Sequence, residues 1–233
     1  MIKLTNWKDD DFIFTTVKEH LYTAVVGDIM DQMGYRHQFI SPMIKPMSDE
    51  MFLVGRAMTV LQADVFEGDS SDSVNPVLNQ PFGLMLDALD DLKKNEVYLC
   101  TGAASEYALW GELMTTRAAK LGASGAVLNG YVRDSVGILK LKFPTFSFGN
   151  FSQDQAPRGK VIDFRCPIEM YGVRIKPGEL IIGDRDGVCV VPREIEEGVL
   201  SGAYEKALGE KTVQSAIENG MSAKSAFEKY GIM

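Results

Sequence analysis

The sequence predicts a mixed α/β fold, one domain over residues 1–233, ending in a helical arm at about residues 209–233. Three observations predict it. Short β-rich runs alternate with helix-spaced stretches up to Phe148, turn-punctuated strands crowd the region from Lys160 to Val191, and helical spacing with clear stops closes the chain.

Taken in order, Val17, Leu21, Val25 and Ile29 recur at helical spacing across residues 12–34, in two halves around a turn region. Gly34 stands where a helix would stop. Asp28 and Asp31, one turn apart, form either a solvated face or the lining of a site. Phe39 to Pro46 carries two prolines and reads as a connection. Phe52–Leu61 is rich in β-formers and reads as a strand, with Gly55 as a candidate bulge. Residues 67–80 are polar, turn-rich and aperiodic, which predicts a surface loop.

Phe82–Leu92 has helical character, although Asp87, Asp90 and Asp91 near its end oppose the helix dipole. A turn at Lys93–Glu96 leads to a strand at Val97–Thr101, and the alternation repeats with a helix at 111–121 and a strand at 125–129. Further strands are expected at Phe143–Phe148, Lys160–Arg165, Ile168–Ile175, Leu180–Ile182 and Val188–Val191. Lys176–Glu179 and Asp184–Gly187 supply turns between the later ones. Helices follow over Arg193–Leu208 and Lys211–Glu218, the latter stopped by Asn219-Gly220, and a short one begins at Ser222 as N-cap.

Composition narrows the function. A net charge of −8, with no basic run, argues against nucleic-acid binding but leaves room for a basic pocket. Three widely spaced cysteines in apolar surroundings read as buried free thiols of a reducing compartment, and the N-terminal residues lack the apolar core of a signal peptide. No apolar run approaches the ~18 residues of a membrane span, so a cytoplasmic protein without membrane contact is expected. Walker A, GxGxxG, GxSxG, CxxC and HExxH motifs are absent, and only His20 and His37 are available, with His37 read as a surface residue.

What remains is oxygen and guanidinium chemistry between residues 111 and 134. Gly111 at a helix start permits close approach of a ligand, and the free N–H groups of that first turn favour a carboxylate. Glu112 suits the dipole there with or without a ligand, and an adjacent Arg133-Asp134 after a glycine, taken alone, commonly forms a surface turn. Together they offer more. A Glu–Asp pair suits a hard divalent ion that keeps several waters, and a guanidinium holds a carboxylate or enolate oxygen in a fixed fork. The combination fits a 2-oxo acid whose neighbouring C–C bond breaks to leave an enolate, without a Schiff-base lysine.

The run Ala108-Leu-Trp-Gly-Glu-Leu-Met114 with Gly125-Ala-Val-Leu-Asn-Gly-Tyr-Val-Arg-Asp134 resembles the RraA-like family, which includes class II 4-hydroxy-4-methyl-2-oxoglutarate/4-carboxy-4-hydroxy-2-oxoadipate aldolases. The family's aldolases carry an acid, twenty intervening residues and then Arg-Asp, and Glu112 with Arg133-Asp134 matches that spacing. Val26–Gly34, Gly55–Val60, Lys176–Leu180, Gly183–Pro192 and the ending near Glu210 and Lys229-Tyr-Gly231 also look like family signatures. Two positions depart from the pattern: Glu112 replaces the usual Asp, and Asn129 replaces an Asp before the glycine.

The resemblance implies a layered α/β/β/α sandwich with mixed sheets, assembled as a homotrimer or dimer of trimers with active sites between subunits. It implies that Asp134 ligates Mg²⁺, Mn²⁺ or another divalent cation directly, with Glu112 reaching it through water and positioning a proton-relaying water. Arg133 would bind the keto oxygen and stabilise the pyruvate enolate formed on the metal, while the backbone of Gly111, Glu112, Leu113 and Met114 would receive the carboxylate. Glu210 would be an acid lent to a neighbouring subunit. The activity implied is aldol cleavage of a 4-hydroxy-2-oxo acid, with oxaloacetate decarboxylation beside it. Residues 36–46 and 64–80 would read the distal half of the substrate. Two other functions stay open: a non-catalytic regulator that binds ribonuclease E, and a lyase or hydratase on another keto acid. Relatives of the regulator type commonly lack the complete Arg-Asp pair, which this chain has.

Overall fold

The longest strand of the protein, Leu53–Asp64, carries the sheet that organises residues 37–193 in the computed structural model, which describes Trp7, residues 9–65 and residues 73–232. In chain order the elements are α1 (Asp10–His20), α2 (Thr23–Gln32), β1 (Lys45–Pro46), β2 (Leu53–Asp64), α3 (Met85–Asp90), β3 (Glu96–Thr101), β4 (Ala108–Trp110) and α4 (Glu112–Leu121). There follow β5 (Gly125–Leu128), β6 (Tyr131–Val132), α5 (Ser135–Leu141), β7 (Thr145–Ser147), β8 (Gly159–Phe164), β9 (Ile168–Met170) and β10 (Val173–Ile175). The last are β11 (Leu180–Gly183), β12 (Val188–Val191), α6 (Glu196–Glu218) and α7 (Ala223–Tyr230). The mixed α/β class with a C-terminal helix is as expected. The chain folds into two compact units, Met1–Arg36 with Glu194–Met233, and His37–Arg193.

In the second unit the main sheet runs β1-β7-β5-β3-β2-β11-β12. Strands β2, β3, β5 and β7 are parallel, and α3, α4 and α5 fall between them in sequence. Strands covered on both faces read as continuous apolar runs, and these do. Tyr98, Cys100, Ala126 and Leu128 point into one core with residues of α3, α4 and α5. Val97, Leu99 and Val127 point into another, shared with the β9–β10 hairpin. Along its other edge β2 pairs first with β11 and then with β8, and the register shifts between Leu61 and Gln62. The irregularity is therefore not at Gly55. Gly55 answers a different need, because a Cβ there would stand 2.5 Å from the Asn95 carbonyl oxygen of the approaching chain.

Local chemistry explains the ends. Asp9 caps α1 by accepting from the Asp11 N–H at 2.9 Å. Gly34 (φ 89°) adopts the left-handed turn after α2 that its position predicted, and Gly122 (φ 79°) ends α4 in the same way. The acids at the end of α3 are neutralised by distant cations, Asp90 by Arg117 at 2.7 Å and Asp91 by Arg165. Ser222 caps α7, as its sequence position predicts.

Several details differ from the sequence-based expectation. The helices expected at 193–208 and 211–218 are one continuous α6 that runs through Gly209, since a single glycine costs a helix only about 1 kcal/mol; a Cβ there would meet Ile232 Cδ1 at 2.4 Å. The expected strand Ile168–Ile175 is a hairpin, turned at Tyr171-Gly172, both with positive φ. Helix α5 and the short strands β4 and β6 carry too few residues to show a period. Of the loop expected at 67–80, residues 67–72 lie outside the described residues, and Pro76–Asn79 form a 3-10 turn capped by Asn75. Cys100 and Cys189 are buried free thiols, while Cys166 is only half-buried. Among the described residues, no helix is long and apolar enough to cross a membrane.

Candidate active site

The two segments singled out in the sequence meet because β4 and β6 pair in parallel. Trp110 lies opposite Val132, so the next residues, Gly111 and Arg133, emerge side by side, and the Arg133 N–H donates to the Trp110 carbonyl at 2.9 Å. Each strand then feeds a helix, α4 after Gly111 and α5 after Asp134. The twenty residues between Glu112 and Arg133 are thus closed by a two-stranded ladder that the sequence did not announce.

Asp134 has left-handed backbone angles (φ 55°, ψ 34°), which Asp tolerates better than most residues, and this directs its carboxylate back over Gly111. A Cβ on Gly111 would lie 2.8 Å from Asp134 Oδ2. Arg133 is half-buried; its Nη1 is 3.1 Å from Asp154 Oδ1 and its Nε 3.9 Å from Asp134 Oδ2. Asp154 is a residue the sequence reading missed. It arrives because the segment after β7 runs along β6 and then β4, with Phe151 N–H donating to Val132 and Ala108 N–H to Gln153. Its only sequence signal was one acid in an irregular polar stretch.

These groups line one side of a cavity of about 270 Å³. Gly111, Leu113, Met114, Arg133, Asp134, Asp154 and Gln155 line it together with apolar side chains of the α3 region and β4. Helix α4 starts here with no side-chain cap, so its first-turn N–H groups face a site that suits an anion. Glu112 is exposed and is not among the lining residues; its carboxylate lies against Gly137 in α5, where a Cβ would come within 2.1 Å of Glu112 Cδ. Among the described residues, those of the loops expected to read the substrate, 36–46, 64–65 and 73–80, are not part of this lining; residues 66–72 lie outside the described residues. Residues 43 and 45–47 help to line a separate cavity of about 240 Å³ with Leu139 and Ser147–Asn150.

The donor set can be tested against a metal. Among the described residues, no group of three or more His, Cys, Asp and Glu converges to hold one. The described residues of one chain therefore assemble no such cage by themselves. One carboxylate cradled over a glycine, with open space in front, does fit a hard ion that retains most of its waters, as Mg²⁺ does.

In the other unit, Glu210 accepts from the Tyr22 hydroxyl and pairs with Lys206 at 3.7 Å, and burial raises its carboxyl above the usual range. Lys206 also pairs with Asp28, while Asp31 and His37 (the latter in the larger unit) are exposed. Glu210 belongs to a cavity of about 270 Å³ formed by α6 and Ile232.

A protein of Halalkalibacterium halodurans named "Putative 4-hydroxy-4-methyl-2-oxoglutarate aldolase" is 30% identical over 219 residues, 93% of this chain and 94% of its own. Protein DlpA of Legionella pneumophila is 26% identical over 209 residues, 89% of this chain, which spans about a third (32%) of DlpA's length. The crystal structure of Streptomyces coelicolor RraAS2, described as an unusual member of the RNase ES inhibitor RraA protein family, superposes with a TM-score of 0.75 at 17% identity, covering 89% of this chain and 98% of that one. A family model, RraA-like (Aldolase/RraA), matches residues 23–190, a span that includes every residue of the cavity. By that match this chain belongs to the RraA-like family.

Proposed function

We propose that this protein is a divalent-cation-dependent aldolase that cleaves a 4-hydroxy-2-oxo acid to pyruvate, with oxaloacetate decarboxylation as a related activity. One observation carries the reading: a guanidinium and a cradled carboxylate stand together in a cavity at the uncapped start of α4. The name of the H. halodurans relative supports the same reaction class.

The substrate carboxylate docks on the first-turn N–H groups of Gly111, Glu112, Leu113 and Met114, where the helix dipole favours negative charge. Arg133, oriented by Asp154, directs its fork at the C2 oxygen. As the C3–C4 bond breaks, the C4 hydroxyl loses its proton and charge grows on the C2 oxygen, where Arg133 stabilises it. Glu112, whose carboxylate lies outside the cavity lining beside the first turn of α5, would act only through water, holding the molecule that relays the proton, and C3 is then protonated to give pyruvate. Asp134 would hold the cation, Mg²⁺ or Mn²⁺, with water in the other positions; when bound, it supplies a second positive charge that polarises the keto group. Three free thiols suit a reducing compartment such as the cytoplasm.

Asp134→Asn keeps a side chain that accepts the left-handed backbone but removes the charge. Coupled detection of pyruvate from oxaloacetate or a 4-hydroxy-2-oxo acid should show loss of about a thousandfold or more in this variant, within the range of one electrostatic catalytic group. EDTA should abolish the wild-type rate and added Mg²⁺ restore it. A wild-type protein that releases no pyruvate under any of these conditions returns the chain to a protein-binding role, such as inhibition of a ribonuclease.

A further inference from the structure

The charge inventory of the cavity says what kind of 2-oxo acid fits it. Arg133 is the one basic residue in the lining among the described residues, and it already faces two acids, Asp154 and Asp134. Behind this polar head the wall is Phe82, Met85, Leu89, Leu109, Trp110 and Met114. Met85, Leu89, Leu109 and Trp110 are buried members of the core that the cavity opens from, so this wall is fixed rather than adaptable. Gln155, the remaining polar group, is buried with its Nε2 3.7 Å from the Met85 sulfur, a weak acceptor. The basic residues nearest in sequence to this wall are engaged elsewhere: Arg117 donates to Asp90 at 2.7 Å, and Lys93 pairs with Asp91 at 3.9 Å. Beyond Gln155, Arg158 donates to the Asp154 carbonyl at 3.0 Å, and Lys160 to the Leu78 carbonyl.

Among the groups this chain itself supplies, a second carboxylate would stand against the apolar wall or beside two acids, with no cation of the same chain to compensate it. An apolar substituent meets the opposite situation, since each buried carbon gains contact and leaves water. Space allows it: a cavity of about 150 Å³ suffices for a benzene ring, and this one has about 270 Å³.

We propose that the substrate is a 4-hydroxy-2-oxo acid with a single carboxylate and an apolar, aryl- or alkyl-sized group on C4, read by the Phe82–Met85–Leu89–Met114 wall. The inference rests on the aldolase reading and departs from the dicarboxylate named for the H. halodurans relative. For 4-hydroxy-2-oxo-4-phenylbutanoate, the C3–C4 bond breaks, C4 loses its hydroxyl proton to become the carbonyl of benzaldehyde, and C3 gains one proton to become the methyl of pyruvate. Atoms and electrons balance without a further reactant.

The test compares kcat/KM of the Mg²⁺-supplied full chain for 4-hydroxy-2-oxo-4-phenylbutanoate and 4-hydroxy-4-methyl-2-oxoglutarate. A preference of tenfold or more for the phenyl compound is expected; equal rates, or preference for the dicarboxylate, overturn the inference and leave the aldolase reading intact. Binding is read independently of turnover by quenching of tryptophan fluorescence, since Trp110 lines the cavity. There 2-oxo-4-phenylbutanoate should bind at least tenfold more tightly than 2-oxoglutarate, and the reverse order overturns the inference even if neither test substrate is cleaved. Absence of turnover with both substrates counts against the aldolase reading alone. Leu86→Arg adds a cation at an exposed lining position and leaves the core untouched. It should shift both ratios at least tenfold toward the dicarboxylate; unchanged ratios would show that the wall does not select.

Discussion

Two glycines of the site are set by neighbouring carboxylates rather than by backbone angles. Gly111 has an extended backbone (φ −151°, ψ −177°) that any residue adopts. It is glycine because Asp134 occupies the space of its Cβ. Gly111→Ala should therefore leave thermal stability nearly unchanged while displacing the Asp134 carboxylate, with pyruvate release falling about a hundredfold, as for an ångström-scale misplacement. Gly137→Ala tests Glu112 without altering it. The added methyl lands on the Glu112 carboxylate, the free end of a flexible chain, which swings away at little cost. Alanine in place of glycine within α5 should raise stability by about 0.5–1 kcal/mol. The rate should fall to that of Glu112→Ala; a rate equal to wild type would remove Glu112 from the proton relay. Elsewhere at this scale, burial pushes the Cys100 thiol up to about 12 and the Cys189 thiol higher, so neither offers a nucleophile near neutral pH.

At the scale of elements, Arg165 holds the end of β8 to the start of β3. Its guanidinium pairs with both Glu96 oxygens, at 2.8 and 2.9 Å, and with Asp91, and these hydrogen bonds raise its pKa further. Removing it leaves Glu96, with a side chain only 13% exposed, without its cation. Arg165→Met should lower unfolding free energy by about 2 kcal/mol in urea, the scale of a hydrogen bond to a charged group, while leaving the specific activity of the folded protein unchanged. The β4–β6 ladder shows why some elements escaped sequence reading. Strands of two or three residues have no period to detect, and they are specified by their partners and by the buried Trp110 indole, whose N–H donates to Thr115 at 2.7 Å. The longer parallel strands, by contrast, were legible as apolar runs because both their faces are covered.

At the scale of the molecule, apolar side chains stand exposed around the two site helices. Leu113 is 84% exposed at the start of α4 and Val136 65% exposed at the start of α5, with Leu139 and Leu141 farther along. Residues of this kind next to a cavity commonly mark an interface. We propose that copies of this chain assemble there as a trimer or a dimer of trimers. Light scattering should give three or six times the chain mass. A fully active monomer at assay concentration would overturn this assembly, and with it any role for Glu210 in a neighbour's site.

Sequence by itself determined the α/β alternation, the helix stops at Gly34 and Asn219-Gly220, the cap at Ser222, and the residue types of the site. Periodicity, turn chemistry and the Arg133-Asp134 pair are local properties that survive without a fold. Tertiary structure alone decided how those residues are used. It turned the Asp134 carboxylate over Gly111, brought Asp154 to Arg133, set Glu112 against Gly137 outside the cavity lining, and surrounded the polar head with an apolar wall. The reason is physical: which atoms meet across a parallel ladder depends on register and crossover, and neither is encoded within any short window of sequence.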